Sequence, residues 1–378
     1  MPTSLPKARV LTMLPRLFAS RLQPPHVLRA FVVGLLLCLS VSAHAAGDAP
    51  ATSDWIRPSK PGDPLIWGRK DGILFGLPST GGLGGPRGLI RVGILSPDTG
   101  QPALLNFIAI EPIVRGPGTR FSRMAFSELE PSQLDPGQRG KRLSIDPSPD
   151  AVKGELVTLQ NRDNPIERLS VKIEVERFSA NAAHVYVVAS IDSDRPHELN
   201  LAVFQHDDSP PIDELTLTAT MGNYERLRNL WLKDTIVDSR TLYSGYTADA
   251  FVEKENYPLD EMLRIGDGDA IALCTSNESS PASAPNSAAD HWRYRLPKLT
   301  QYWRVAAREI QPDLRVRVNG RRVYWASHDP LPGGIAFENF EVRQRYVAGQ
   351  QFIFGVTPKE PQQFVPAIAH LPKQTEIH

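Results

Sequence analysis

The chain has 378 residues with 42 basic and 42 acidic side chains. Five of the basic ones precede residue 46, and without them the count is 37 against 42, a net charge near −5; such a chain lacks the basic surface that binding to nucleic-acid backbones requires. Of its two cysteines only Cys274 lies beyond residue 45, so a processed chain holds no intramolecular disulfide and is stabilised by burial, which a chain of about 330 residues is long enough to supply.

The amino end carries the three zones of a secretory signal peptide in order. Lys7, Arg9, Arg16, Arg21 and Arg29 come first, the apolar run Phe31 to Leu39 follows, and Ala43-His44-Ala45 fits the small-x-small cleavage pattern, with no Asp or Glu before Asp48. Residues 1–45 are therefore expected to be removed, with the positive charge on the cytoplasmic side of the membrane. The apolar run is about half the length of a spanning helix, and Cys38 sits inside it behind Leu37, which does not suit a lipid anchor. The expected location is the periplasm or the exterior, with no stable membrane anchor after processing.

Residues 46–64 are small, polar or Pro apart from Trp55, and read as an extended lead-in to a fold starting near Leu65. Gly81-Gly82-Leu83-Gly84-Gly85-Pro86 has no Gly-Lys-Ser/Thr ending and reads as turns rather than as a phosphate-binding loop. Strands follow. Leu169, Val171, Ile173 and Val175 alternate with Ser170, Lys172, Glu174 and Glu176, which predicts a strand with one buried and one wet face. Val185 to Ala189, Leu199 to Phe204 and Leu215 to Thr218 are further strand candidates. Tyr224, Leu227 and Trp231 share a face at helical spacing and predict one short helix, Tyr224 to Lys233, with Asn223 as its cap. Residues 279–289 are Ser, Ala, Pro and Asn and read as a flexible loop. Leu314 to Asn319 alternates, and Asn319-Gly320 predicts a tight hairpin turn after it. Phe337 to Val342 and Phe352 to Thr357 read as the last strands, and residues 361–378 as a loosely held tail. With no repeat of fixed period, the expected fold is all-β: an antiparallel β-sandwich over residues 65–360, one large or two packed domains, with little helix.

The segments Thr218-Ala219-Thr220-Met221-Gly222-Asn223-Tyr224-Glu225-Arg226 and Leu299-Thr300-Gln301-Tyr302-Trp303-Arg304, with the alternating run before Asn319-Gly320, resemble a family of uncharacterised exported bacterial proteins. The resemblance implies export. It brings no activity and no catalytic residue with it.

The chemistry has to come from the residues. Aromatic and Arg side chains recur together at Tyr224/Arg226, Trp231, Tyr243, Tyr246, Trp292/Arg293/Tyr294/Arg295, Tyr302/Trp303/Arg304 and Tyr324/Trp325. Aromatic faces stack on sugar rings, and Arg forks bind hydroxyls or carboxylates bidentately, so the expected partner is a polysaccharide or oligosaccharide, an acidic one above all. A polysaccharide lyase would need a cation over the uronate carboxylate, from Arg226 or Arg304, with His206 as base and Tyr224 or Tyr302 returning a proton. Trp231, Tyr243, Tyr246, Trp303 and Trp325 would bind the sugar. A glycoside hydrolase would need two facing carboxylates; Glu128 with Glu130, Glu338 with Glu341, and Asp207 with Asp208 are the available pairs, none in a diagnostic motif. No cofactor is expected. His206-Asp207-Asp208 and Asp267-Gly268-Asp269 offer oxygen ligands to Ca²⁺ without the spacing of a calcium loop, the histidines lack the helical pairing of hydrolytic zinc sites, and no Gly-x-Ser-x-Gly elbow occurs. The expectation is an exported carbohydrate-active protein; the alternative is a non-catalytic carbohydrate-binding or envelope-associated module. A cluster of titratable groups would favour the enzyme, a flat aromatic strip the module.

Overall fold

Period-two patterning is realised as two antiparallel sheets packed face to face. The computed structural model describes residues 53–77, 88–115, 122–124, 142–160, 165–221, 226–276, 299–323, 330–331 and 333–372, and these described residues belong to one compact unit. Among the described residues, sheet I has ten strands, nine of them on one path: Trp55–Ile56, Ile66–Arg69, Leu74–Gly76, Ile90–Leu95, Pro102–Arg115, Ile212–Met221, Ala336–Arg345, Arg315–Arg321 and Glu255–Pro258. Sheet II has eleven; its middle runs Asp269–Thr275, Thr300–Val305, Gln351–Thr357, Glu198–Gln205, Val185–Asp192 and Ile166–Val175. The fold is thus the expected all-β sandwich, and the described helices are short turns.

Alternate residues of both sheets meet in one core: Ile108, Ile110, Leu215, Leu217, Val316, Val318, Phe340 and Val342 from sheet I, and Val171, Val187, Leu201, Ala272, Trp303 and Phe354 from sheet II. Among the described residues, hydrogen bonds tie the sheets together, two of them within this layer. Asn106 Nδ2 donates to Gln301 Oε1 at 2.7 Å, and Trp303 Nε1 donates to the Phe340 carbonyl at 2.9 Å. Each fixes how the sheets face one another, because a polar group buried without its partner is costly. Among the described residues no helix is long and apolar enough to cross a membrane.

Four local expectations are corrected. Residues 226–233 are not helical: Leu227 bridges to Phe337, and Asn229–Trp231 pairs with Thr275, Cys274 and Leu273. Leu230 and Leu232 enter the shared core while Trp231 packs on the opposite face, so the apolar run belongs to a strand buried on both sides, which periodicity alone does not distinguish from a helix. Asn319-Gly320 is not a turn either. The strand passes straight through it, with Asn319 opposite Asn339 and Gly320 opposite Phe337; glycine stands there because a Cβ would sit 3.0 Å from the Tyr243 ring and 3.1 Å from the Ala336 carbonyl oxygen. Order begins before Leu65, since Trp55 is buried in the first strand and its indole donates to Glu167 at 2.9 Å. The tail is held: Val365, Ile368 and Leu371 cover Trp231, Ile271, Leu273 and Tyr302 on the outer face of sheet II. The predicted turns at Gly81–Pro86 and the loop 279–289 lie outside the described residues.

Candidate active site

Among the described residues singled out for a lyase, Tyr302 and Arg304 meet at Glu198 while His206 is held elsewhere. His206 follows the Glu198–Gln205 strand; its Nε2 is 2.9 Å from Glu174 Oε2 and its ring stacks on His184 at 4.1 Å. His184 Nδ1 in turn meets Asp208 at 2.7 Å, and Asp208 also takes Arg177. Arg304 belongs to the other end of that strand. It forks onto Glu198 and reaches Asp269, while Tyr302 donates its hydroxyl to Glu198 Oε1 at 3.1 Å. Glu198 and His206 are eight positions apart on an extended chain, about 27 Å at the rise of a strand.

The proposed stacking aromatics are placed just as differently. Trp231 and Trp303 are wholly buried, with their indole N–H groups spent on Thr275 Oγ1 and the Phe340 carbonyl, so neither offers a face to a sugar. Tyr243 is half-buried edge-on to Phe337 and donates to the Val318 carbonyl at 3.3 Å. Tyr246 donates to the Ala250 carbonyl at 3.0 Å within its own loop. Arg226 is buried beside Leu227. Tyr224 and Trp325 lie outside the described residues, as do Trp292, Tyr294, Tyr324, Glu128 and Glu130.

A different constellation occupies the outer face of sheet I. Phe340 and Val342, Leu217 and Ala219, Val316 and Val318, and Ile108 and Ile110 point into the shared core, so the intervening residues point outward. Three rows result. Asn319, Asn339 and Thr220 form one; Arg317, Glu341 and Thr218 the next; Arg315, Arg343, Thr216 and Glu111 the third. Thr218, directly opposite Glu341, donates its hydroxyl to Glu111 Oε2 at 2.8 Å, and therefore stands between the two carboxyl groups. Glu341 takes Lys254 on Oε1 and lies 3.7 Å from Arg317 through Oε2. Along the solvent-reached margin, Glu214 receives Arg315 at 2.8 Å and also Arg343.

Burial sets the protonation of this face. It is the main cause that raises Glu111 to about 7, with the nearby Glu341 charge adding to it against the pull of Lys254, Thr218 and Arg317. Burial draws Arg317 below its usual value, with Glu341 opposing. One carboxyl that keeps its proton near neutrality thus faces another flanked by two cations, an arrangement that separates an acid from a base.

This face also leaves polar atoms unsatisfied. Thr216 Oγ1, Arg317 Nε, Asn319 Oδ1, both oxygens of Glu338 and Glu341 Oε2 are buried and have no hydrogen-bond partner among the described residues. Buried polar groups in folded proteins are normally paired, so a cluster of orphans on one face marks a place where another molecule supplies the partners. Among the described residues no group of three His, Cys, Asp or Glu side chains is arranged to hold a metal ion.

The sequence reading had Glu338 and Glu341 as one of several carboxylate pairs and missed Glu111, Thr218, Lys254 and Arg317. One signal was present: Glu111 is the lone acid in the run Asn106-Phe107-Ile108-Ala109-Ile110-Glu111, and a charge inside a strand-length apolar run is either paired or functional. The sequence matches no model of a known protein family, and no curated protein is significantly similar to it.

Proposed function

We propose that the chain is an exported hydrolase of a glycosidic polymer, with Glu111 as general acid and Glu341, beside Lys254 and Arg317, as its partner on the outer face of sheet I. The observation that carries this reading is the set of six buried polar atoms without a hydrogen-bond partner among the described residues, one of them Glu341 Oε2 itself and the other five on the same face of sheet I. Donors and acceptors crowded together call for a ligand that offers both, and a polyhydroxylated sugar does so at nearly every carbon. Hydrolysis then follows from the acid–base split. Glu111 gives its proton to the oxygen of the leaving sugar, while Glu341 either attacks the anomeric carbon or takes a proton from the attacking water; Lys254 and Arg317 hold Glu341 in place for that role. Export is supported by the charged, apolar and small-residue zones of residues 1–45.

Elimination is the weaker option, because its base, His206, is committed to Glu174 and His184 and stands a strand's length from Arg304. The test is incubation of the purified protein with neutral and acidic polysaccharides, following new reducing ends and the ultraviolet absorbance of an unsaturated sugar. Reducing ends without that absorbance are expected. Absorbance rising with reducing ends would replace hydrolysis by elimination, and silence in both would overturn the enzymatic reading.

A further inference from the structure

Glu338 is a buried acidic group of this face that the hydrolytic scheme leaves unused. Its position is set by an irregularity of the sheet: Asn319 and Gly320 are consecutive on one strand, yet their partners are Asn339 and Phe337 on the next, so Glu338 is the extra residue of a β-bulge. Phe337 and Phe340 both enter the shared core, which places Glu338 and Asn339 together on the outer side, in line with Glu341. A bulge re-aims a side chain, and bulges recur beside active sites for that reason.

The re-aimed side chain is 1% exposed and neither of its oxygens has a partner among the described residues. Asn319 Oδ1, one strand away, is an orphan acceptor of the same kind. The charged groups around Glu338 are Arg321 and Arg317 on the neighbouring strand, Glu341 and Arg343 on its own, Lys254 ahead of the edge strand, Glu111 two strands off, and Arg226 and Arg228 flanking Leu227 on the segment bridged to Phe337. Of these, the Arg321 charge favours the ionised form of Glu338, and burial outweighs it, raising the carboxyl to about 8.

We propose that Glu338 contacts the substrate, donating its carboxyl proton in a hydrogen bond to an acceptor oxygen of an acidic sugar. The inference rests on the carbohydrate reading above and adds the substrate class to it. A buried carboxylic acid has one O–H to place and needs an acceptor, and Asn319 Oδ1 needs a donor. A uronate residue answers both at once, its carboxylate accepting from Glu338 and a ring hydroxyl donating to Asn319. Once ionised, Glu338 would instead repel that carboxylate. Recognition is therefore a property of the protonated acid, and a Gln side chain, which keeps a donor at that place and cannot ionise, should reproduce it at every pH.

The experiment is titration calorimetry of the Glu111→Gln protein, which cannot cleave and whose residue 111 cannot titrate, with oligogalacturonate and with a neutral glucan oligomer, from pH 6 to pH 9. The expected result is a uronate Kd that holds to pH 7 and then rises, approaching about tenfold per pH unit above the ionisation of Glu338, while the Glu111→Gln, Glu338→Gln protein keeps the pH 6 affinity throughout. A uronate Kd with the same pH dependence in both proteins overturns the role of Glu338 and leaves the carbohydrate reading standing. Failure of both oligomers to bind at pH 6 overturns the carbohydrate reading itself. If the double variant does not fold, infrared spectra of the Glu111→Gln protein decide: a protonated-carboxyl band that shifts on adding oligogalacturonate supports the contact, and a band indifferent to it refutes the contact.

Discussion

The outer faces of the two sheets are built from the same residue types and arrive at opposite electrostatic states. On sheet II, Arg304 divides its donors between Glu198 and Asp269, Tyr302 completes Glu198, and the carboxy-terminal turns pack alongside. Burial alone would pull the Arg304 pKa down, but its two carboxylates overcome that and hold it above the ordinary value. On sheet I, Glu111, Glu338 and Glu341 are buried as well, yet among the described residues Glu338 receives no hydrogen bond and Glu341 keeps one oxygen without one. A closed network has nothing left to offer a ligand. An open one is a standing cost to the fold, and the comparison teaches that unsatisfied bonding capacity, rather than the residue types themselves, separates a functional face from a structural one.

The largest expected effect breaks the open face. Glu341→Gln and Glu111→Gln are each near-isosteric and remove one half of the acid–base pair, so kcat for the cleaved polysaccharide should fall by about 10²–10⁴-fold, the usual scale for losing a general acid or base, with the melting temperature unchanged or raised in Glu111→Gln and lowered in Glu341→Gln, which leaves Lys254 and Arg317 without their carboxylate. Full activity in either variant would return sheet I to the status of a structural surface.

The second prediction measures the standing cost. The unfolded chain releases the Glu338 proton near the ordinary value of 4.5, whereas the folded chain holds it to about 8. Across that window the native state binds more protons, so stability falls as pH rises and is level on either side. At 1.36 kcal/mol per unit, the contribution reaches on the order of 5 kcal/mol. Urea unfolding should therefore show Glu338→Gln to be more stable than the parent at pH 8 and similar to it at pH 4. Glu111 contributes with the same sign up to about 7, so part of the slope should survive in the variant.

The third prediction breaks the closed face. Arg304→Ala leaves buried Glu198 and partly exposed Asp269 without their shared cation, which should cost about 3–5 kcal/mol of stability. Variants that still fold should retain the parent's kcat, because the network holds no substrate. A folded Arg304→Met protein that has lost cleavage would reverse the assignment of the two faces.

How much of this could be read from the sequence depends on the kind of neighbour involved. Leu169 to Glu176 declared itself a strand because one face is buried and the other wet, so the alternation is visible. Residues 105–114 and 229–231 are covered on both faces, their apolar runs carry no period, and the first went unmarked while the second was read as helix. Asn319-Gly320 has turn chemistry, but tertiary packing against Tyr243 and Ala336 claims the glycine for close approach. The site was half legible for a similar reason. Glu338 and Glu341 lie on one strand and could be seen as a pair, whereas Glu111, Thr218 and Arg317 join them only through register between strands distant in sequence. Aromatic and Arg composition pointed to Trp231, Trp303 and Arg304, whose chemistry is suited to sugars but whose hydrogen bonds are already spent inside the protein.

The smallest expected effect concerns His206, the residue that composition favoured as a base. Its imidazole is partly exposed, and its partner Glu174 is shared with Lys172, so the pair resembles a surface ion pair, worth about 0–1 kcal/mol. His206→Ala should cost no more than that in unfolding experiments and should leave kcat within about twofold of the parent, since Glu111 and Glu341 are on the other sheet. Stacking on His184 adds little that alanine would remove beyond one ring contact. A large fall in kcat with stability intact would place the working base on sheet II after all, and would turn the comparison of the two faces around: the half-exposed imidazole pair would be the open site, and the buried carboxyl groups of sheet I a structural burden.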